Sequence, residues 1–323
     1  MLGVIAAESP MRSAGTPQRH HHNRRRQLRS SGTRRLLAAC LPLAAIVTVV
    51  RSGSNWSPPL RLGAAILLPY AALKAAAVLR QPPGTLRRAG TIRCLVYLTV
   101  WPGMLLAPFT AGRTVAVEAR AQARRHVQQG LRNLALGGVA MLLLAWWAPR
   151  LTDRDLSWTG IAALLLAVHL GYADVLSGCL RLAGVPVPRL FDDPLASRSL
   201  TEFWSRRWNL AFVEMDRLLF LPLLRPLGQL GARLGVFVVS GLLHELAISF
   251  PAGSGWGLPS CYFALQGVLV VAERRLHPQR WATPLGRLWT WAWLLIPLPL
   301  LFHAAFRAAL VVPLFGHLHG LLP

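Results

Sequence analysis

The chain has 323 residues, of which 54% are hydrophobic and only 15% charged, and its mean hydropathy is +0.42. Soluble domains carry about 25% charged residues, so this composition excludes an ordinary soluble protein and is that of an integral membrane protein. The net charge of +23 does not indicate nucleic-acid binding. The basic residues are spread over short loops between apolar runs, with one dense cluster at the N-terminus, as expected of cytoplasmic loops.

Residues 1–35 carry eight arginines, His20, His21 and His22, and the single acid Glu8. They are expected to form a disordered basic cytoplasmic tail drawn to anionic lipid, and Met11 offers a second possible start. Leu37-Ala38-Ala39-Cys40 is not a lipobox, because the apolar run follows the cysteine. Arg34-Arg35 is not a twin-arginine signal, because Arg51 and no A-x-A site follows the run. Residues 36–323 read as a single membrane-embedded domain.

Apolar runs lie at Leu36–Val50, Leu62–Leu79, Cys94–Phe109, Leu134–Ala148, Leu156–Leu180, Leu234–Phe250, Gly257–Ala272 and Leu288–Val312. The loops Arg80–Arg93, Arg113–Arg132, Arg181–Arg207 and Arg274–Arg287 are arginine-rich, whereas Pro251–Trp256 and the tail after Arg307 lack Lys and Arg. Placing the basic loops and the N-terminus inside requires that Cys94–Phe109 not cross. Its Trp101-Pro102-Gly103 interruption suits a re-entrant or broken helix packed in protein. The expected fold class is all-α and polytopic: about seven transmembrane helices, a re-entrant segment and an interfacial amphipathic helix, with the C-terminus outside. No internal repeat supports an inverted-repeat transporter. The cysteines Cys40, Cys94, Cys179 and Cys261 show no CxxC or Cys/His spacing and read as small packing residues.

In the longest non-spanning stretch, Arg181 to Arg233, Ser199 and Glu202 have capping-box spacing, which starts a helix near Leu200. From there Phe203, Trp204, Trp208, Phe212 and Met215 fall near one face. Arg206, Arg207, Glu214, Asp216 and Arg217 supply the polar positions of an interfacial helix, with Trp at headgroup depth.

The run VFVVSGLLHELAISF (Val236–Phe250) holds His244 and Glu245 in apolar surroundings, where ionisable groups are costly and usually serve a site. Ser240 and Gly241 share the side of His244 and leave room for a neighbouring helix or a ligand. Two readings of His244 stay open, an interhelical hydrogen bond and a neutral imidazole that accepts a proton. Glu245 points about 100° away around the helix and is expected to pair with an arginine elsewhere. A zinc protease would need a second histidine where Ile248 stands. Di-iron chemistry would need histidine boxes on the spans, yet the close histidine pairs are His20–His22 and His317/His319. Gly253-Ser254-Gly255 lacks the spacing of a serine hydrolase elbow.

SLTEFWSRRWN (Ser199–Asn209) followed by FVVSGLLHE (Phe237–Glu245) resembles the wax synthase branch of the membrane-bound O-acyltransferase family, and Trp101-Pro102-Gly103-Met104 resembles it more weakly. The strong similarity covers about Ser199 to Arg275, and the tail lies outside it. The resemblance implies an acyl-CoA-dependent O-acyltransferase that esterifies a hydrophobic alcohol, with His244 as general base and Asn209 as the second polar site residue. It implies no metal, no cofactor beyond acyl-CoA as co-substrate, and no covalent acyl-enzyme.

Physical reasoning fits these roles without singling them out. Asn209 could hold a developing oxyanion or serve as an interfacial hydrogen-bonding residue. Arg206 and Arg207 suit CoA phosphates, lipid headgroups or the inside-positive rule alike. Trp204 and Trp208 could wall an acyl chain or anchor at the interface, and Ser240 gives space beside the imidazole. His169, Tyr172 and Asp174 fit a substrate tunnel or interhelical hydrogen bonds, and Lys74 is expected to snorkel or pair. Alternatives are short-chain acyl transfer to a hydroxylated natural product or sterol and, from another class, a transporter or lipid-binding scaffold. The Ala/Leu/Arg/Gly-rich composition points to a bacterial plasma membrane.

Overall fold

The computed structural model describes residues 37, 38, 40–82, 84–112 and 117–322. The tail expected over 1–35 lies outside them. Every regular element among the described residues is helical.

Helix α1 (Cys40–Ser52) is followed by α2 (Pro58–Arg80), which opens on Pro58 and Pro59, residues tolerated in a first turn because their missing N–H groups would have no helical partner. Next come α3 (Thr91–Thr99), α4 (Val117–Arg150), α5 (Asp153–Leu182), α6 (Leu210–Ala252) and α7 (Leu258–Leu276). The chain closes with α8 (Thr283–Leu301) and α9 (Ala304–Gly320), which meet at 66°. Four of these, α2, α4, α5 and α6, are long and apolar enough to cross a membrane, or five spans if the bent pair α8–α9 counts as one. The expectation of about seven rested in addition on α1, which is short, and α7, whose last turn carries Glu273, Arg274 and Arg275.

Helix α4 shows why apolar runs understate helices. Its 34 residues extend roughly 50 Å, yet only the second half is apolar. The first half presents Arg120, Arg124, Arg125 and Arg132 on its exposed side. The cysteines also differ from expectation. Cys40, Cys179 and Cys261 are exposed on the outer surface, Cys94 is half-buried, and all four are free thiols.

The broken segment after α3 is buried in protein. Its carbonyls at Trp101 and Gly103 both accept from Lys74 Nζ, and Trp101 O also accepts from the Tyr70 hydroxyl at 2.9 Å. Met104 O accepts from the Tyr97 hydroxyl at 2.8 Å. From the other side Glu214 accepts the N–H groups of Met104 (2.8 Å) and Leu105 (3.2 Å). Lys74 therefore does not snorkel. It is 2% exposed and lies 3.8 Å from the centroid of the Tyr97 ring, supplying donors that non-helical backbone needs where water is absent. Gly103 is required, since a Cβ there would lie 2.3 Å from Trp101 Nε1 and 2.6 Å from Glu214 Oε2.

The segment after Ser199 starts a helix where the capping box predicts it, with Ser199 Oγ accepting from Glu202 N at 3.0 Å. The helix does not run on to Met215. A wide turn over Phe203–Arg207 ends at Trp208, and α6 begins afresh after Asn209. Trp204 and Trp208 are half-buried and pack into the protein rather than standing at its surface.

Candidate active site

A cavity of about 320 Å³ lies between α2 and the two halves of α6. Its polar lining comes from His244, Asn209 and Tyr70. The rest of the wall is apolar, including Leu73, Met104, Phe212, Met215 and Leu243. Asn209 and His244, one polar residue from each sequence motif and 35 positions apart in the chain, thus face one space.

His244 sits where α-helical winding gives way to a wider π turn over Glu245–Ser249, a local irregularity common at functional sites. Its Nδ1 lies 2.7 Å from the Ser240 carbonyl. A carbonyl only accepts, so Nδ1 carries a proton, and in the neutral form of the ring the lone pair lies on Nε2. Nε2 has no hydrogen-bond partner among the described residues. Phe263 of α7 covers one face of the ring, with centroids 4.3 Å apart. Ser240 therefore acts through its backbone, its hydroxyl being turned to Val236 O. Gly241 makes room for a helix, not a ligand: a Cβ there would be 2.9 Å from Ser260 Cα of α7.

Asn209 has left-handed backbone geometry (φ +46°), which asparagine tolerates better than most residues. Its Oδ1 accepts from Phe212 N at 3.3 Å and caps α6. With Oδ1 engaged, the amide Nδ2, a donor, has no protein partner among the described residues. The position is held from several sides. Backbone bonds flank it, Asp192 N to Arg207 O at 2.8 Å and Leu210 N to Leu190 O at 2.9 Å. Trp208 is stacked between His169 (5.7 Å) and Phe203 (5.3 Å).

The remaining motif residues divide by partner. Trp204 donates to Gln266 at 3.1 Å and packs on Phe263 at 5.6 Å, so it backs the ring that covers His244. Arg207 is held by Glu202 (2.6 Å) and donates to the Asp192 and Asp193 carbonyls. Arg206 is exposed and has no ion-pair or hydrogen-bond partner among the described residues. Burial raises the proton affinity of the Glu202 carboxylate, but the Arg198 N–H and the Arg207 guanidinium outweigh it and hold its pKa below the ordinary glutamate value. Asp174 forms a 2.5 Å ion pair with Arg189.

Glu245 has a different partner from the one expected. No arginine reaches it among the described residues. Its Oε1 accepts the N–H groups of Gly257 (3.0 Å) and Ser260 (2.9 Å), at the start of α7. A carboxylate there satisfies orphan N–H groups and meets the positive end of the helix dipole. Sequence reasoning missed Glu273, Phe263 and Gln266 altogether. Glu273, 3% exposed in the arginine-rich end of α7, binds the Leu200 and Thr201 N–H groups. The available signal was an acid next to an otherwise basic helix end.

Comparison with known proteins agrees with the motif segment. Residues 187–265 match the family model described as membrane bound O-acyl transferase family. A probable long-chain-alcohol O-fatty-acyltransferase 2 of Arabidopsis thaliana is 36% identical over 111 residues, 31% of this chain and 32% of that protein. The long-chain-alcohol O-fatty-acyltransferase of Simmondsia chinensis is 34% identical over 94 residues, 26% of each chain. An acyl-CoA–sterol O-acyltransferase 1 of Arabidopsis thaliana is 41% identical over 64 residues, 17% of this chain and 19% of that protein. The matched stretch thus spans about a third or less of these relatives' length.

Proposed function

We propose that this integral membrane protein, whose central segment matches the membrane bound O-acyl transferase family model and is similar to long-chain-alcohol O-fatty-acyltransferases, is a wax synthase-like member of that family and transfers an acyl group from acyl-CoA to the hydroxyl of a hydrophobic alcohol. The observation that carries the reading is the single apolar cavity lined by both His244 and Asn209. In this mechanism His244 Nε2 takes the proton of the alcohol. The alkoxide oxygen attacks the thioester carbon, and Asn209 Nδ2 donates to the oxyanion that forms. Collapse of the intermediate breaks the carbon–sulfur bond, and the proton on His244 passes to the CoA sulfur, leaving ester and free CoA. Arg206, exposed and without a partner among the described residues, is the arginine proposed to meet the CoA phosphates. Arg207, already held by Glu202, is proposed to contribute mainly by fixing the loop before Asn209.

The seven-span arrangement with a cytoplasmic N-terminus belongs to the same proposal, with α1 and α7 as spans beside the long helices. Acceptor class is open between a long-chain alcohol and a sterol, given what the names of the relatives state. Purified protein should convert acyl-CoA and a long-chain alcohol to ester, read by mass spectrometry across a panel of donor lengths and both acceptor classes. Ester from sterol alone would move the reading to the second acceptor, and no ester from any pair would overturn it.

A further inference from the structure

His244 and Asn209 reach the cavity from separate motifs, and one helix connects the supports of both. At the start of α7, Gly257 and Ser260 donate their N–H groups to Glu245, the residue next to His244. Near its end, Glu273 accepts from Leu200 N (2.7 Å), Thr201 N (2.8 Å) and the Thr201 hydroxyl (2.7 Å), where the segment ending in Asn209 begins. Between the two ends, Phe263 lies on the His244 ring and Gln266 holds Trp204. We propose that α7 is a strut setting the separation of His244 and Asn209, with Glu245 and Glu273 as the positioning residues that fix its two ends. The proposal rests on the reading of His244 and Asn209 as the reacting pair.

The two carboxylates are used differently, and the difference makes the idea testable. Glu245 takes both of its backbone N–H bonds on Oε1, and Oε2 accepts no backbone N–H among the described residues. A glutamine can place its carbonyl where Oε1 lies and its NH2 on the side where no backbone N–H is bound. Glu273 uses both oxygens, Oε1 also accepting from Trp289 Nε1 at 2.8 Å. A glutamine there must turn an NH2 toward N–H donors, whichever way it flips.

The experiment measures kcat and KM by CoA release, together with hydrogen–deuterium exchange over residues 199–209, for wild type and four variants. Glu273→Gln is expected to lower kcat by about tenfold or more with KM within about threefold, because a displaced reacting group costs rate rather than binding. It should also raise exchange over 199–209. Glu245→Ala should lower kcat similarly, whereas Glu245→Gln should stay within about twofold of wild type. Trp289→Phe, which leaves both backbone latches intact, controls for folding and should leave exchange over 199–209 unchanged. Wild-type kcat in Glu273→Gln would overturn the strut. So would equal losses in Glu245→Gln and Glu245→Ala, which would mean that the carboxylate charge itself acts on His244. If wild type releases no CoA, the acyl-transfer reading fails, and unchanged exchange over 199–209 in Glu273→Gln separately overturns the strut.

Discussion

At the scale of single residues, the site turns on which atoms are already occupied. Ser240 O accepts from His244 Nδ1, and Nε2 has no partner among the described residues. Phe212 N occupies Asn209 Oδ1 and leaves Nδ2 as the donor. With Nε2 and Nδ2 without partners among the described residues on the same cavity, the proposed base and oxyanion ligand have the atoms these roles require. Asn209→Asp, which swaps the donor for an acceptor while keeping the cap, should lower kcat by about 10²- to 10³-fold. Its melting temperature should stay near that of wild type. A large melting loss with kcat retained in the folded fraction would assign Asn209 to capping alone.

At the scale of elements, irregular backbone is held by buried and half-buried carboxylates. Glu214, Glu245 and Glu273 each accept two backbone N–H groups, from Met104 and Leu105, Gly257 and Ser260, and Leu200 and Thr201. Where a segment leaves helical winding, these acids supply the acceptors that lipid does not. Gly103→Ala tests the tightest of these places, and thermal melting should show a loss of about 1–3 kcal/mol from the added methyl. An unchanged melt would mean that the segment yields. The short helix at Leu200 adds a pH dependence. Because the pKa of Glu202 is lowered on folding, its contribution is fully present above the ordinary glutamate range and is lost as pH falls through the folded pKa. Glu202→Gln should therefore flatten the acid limb of stability, read as melting temperature against pH, and a parallel shift of the whole curve would contradict this.

At the scale of the whole molecule, the helical membrane class and the candidate site residues were more legible in the sequence than the span count and the breaks between helices. The all-α membrane class followed from composition, the helix start from Ser199 and Glu202, and the two polar residues from their motifs. The break at Asn209 was hidden because Trp208 and Phe212 continue a helical face, while the left-handed turn depends on stacking with His169 and on the bonds to Leu190 and Asp192. The partner of Glu245 was hidden because α7 lies beyond a turn, and sequence spacing does not report which helix end meets a carboxylate. Lys74 reads from the sequence as snorkelling or paired, and the broken segment beside it, which supplies two carbonyls, was not visible as its partner. The central claim is that His244 and Asn209 act as one unit on a thioester. Its most direct test is single-turnover acyl-CoA consumption by wild type, His244→Ala, Asn209→Ala and the double variant. Rapid consumption is predicted for wild type, with a loss of about 10²- to 10⁴-fold in His244→Ala and little further loss in the double variant. Consumption unchanged by His244→Ala would contradict the account.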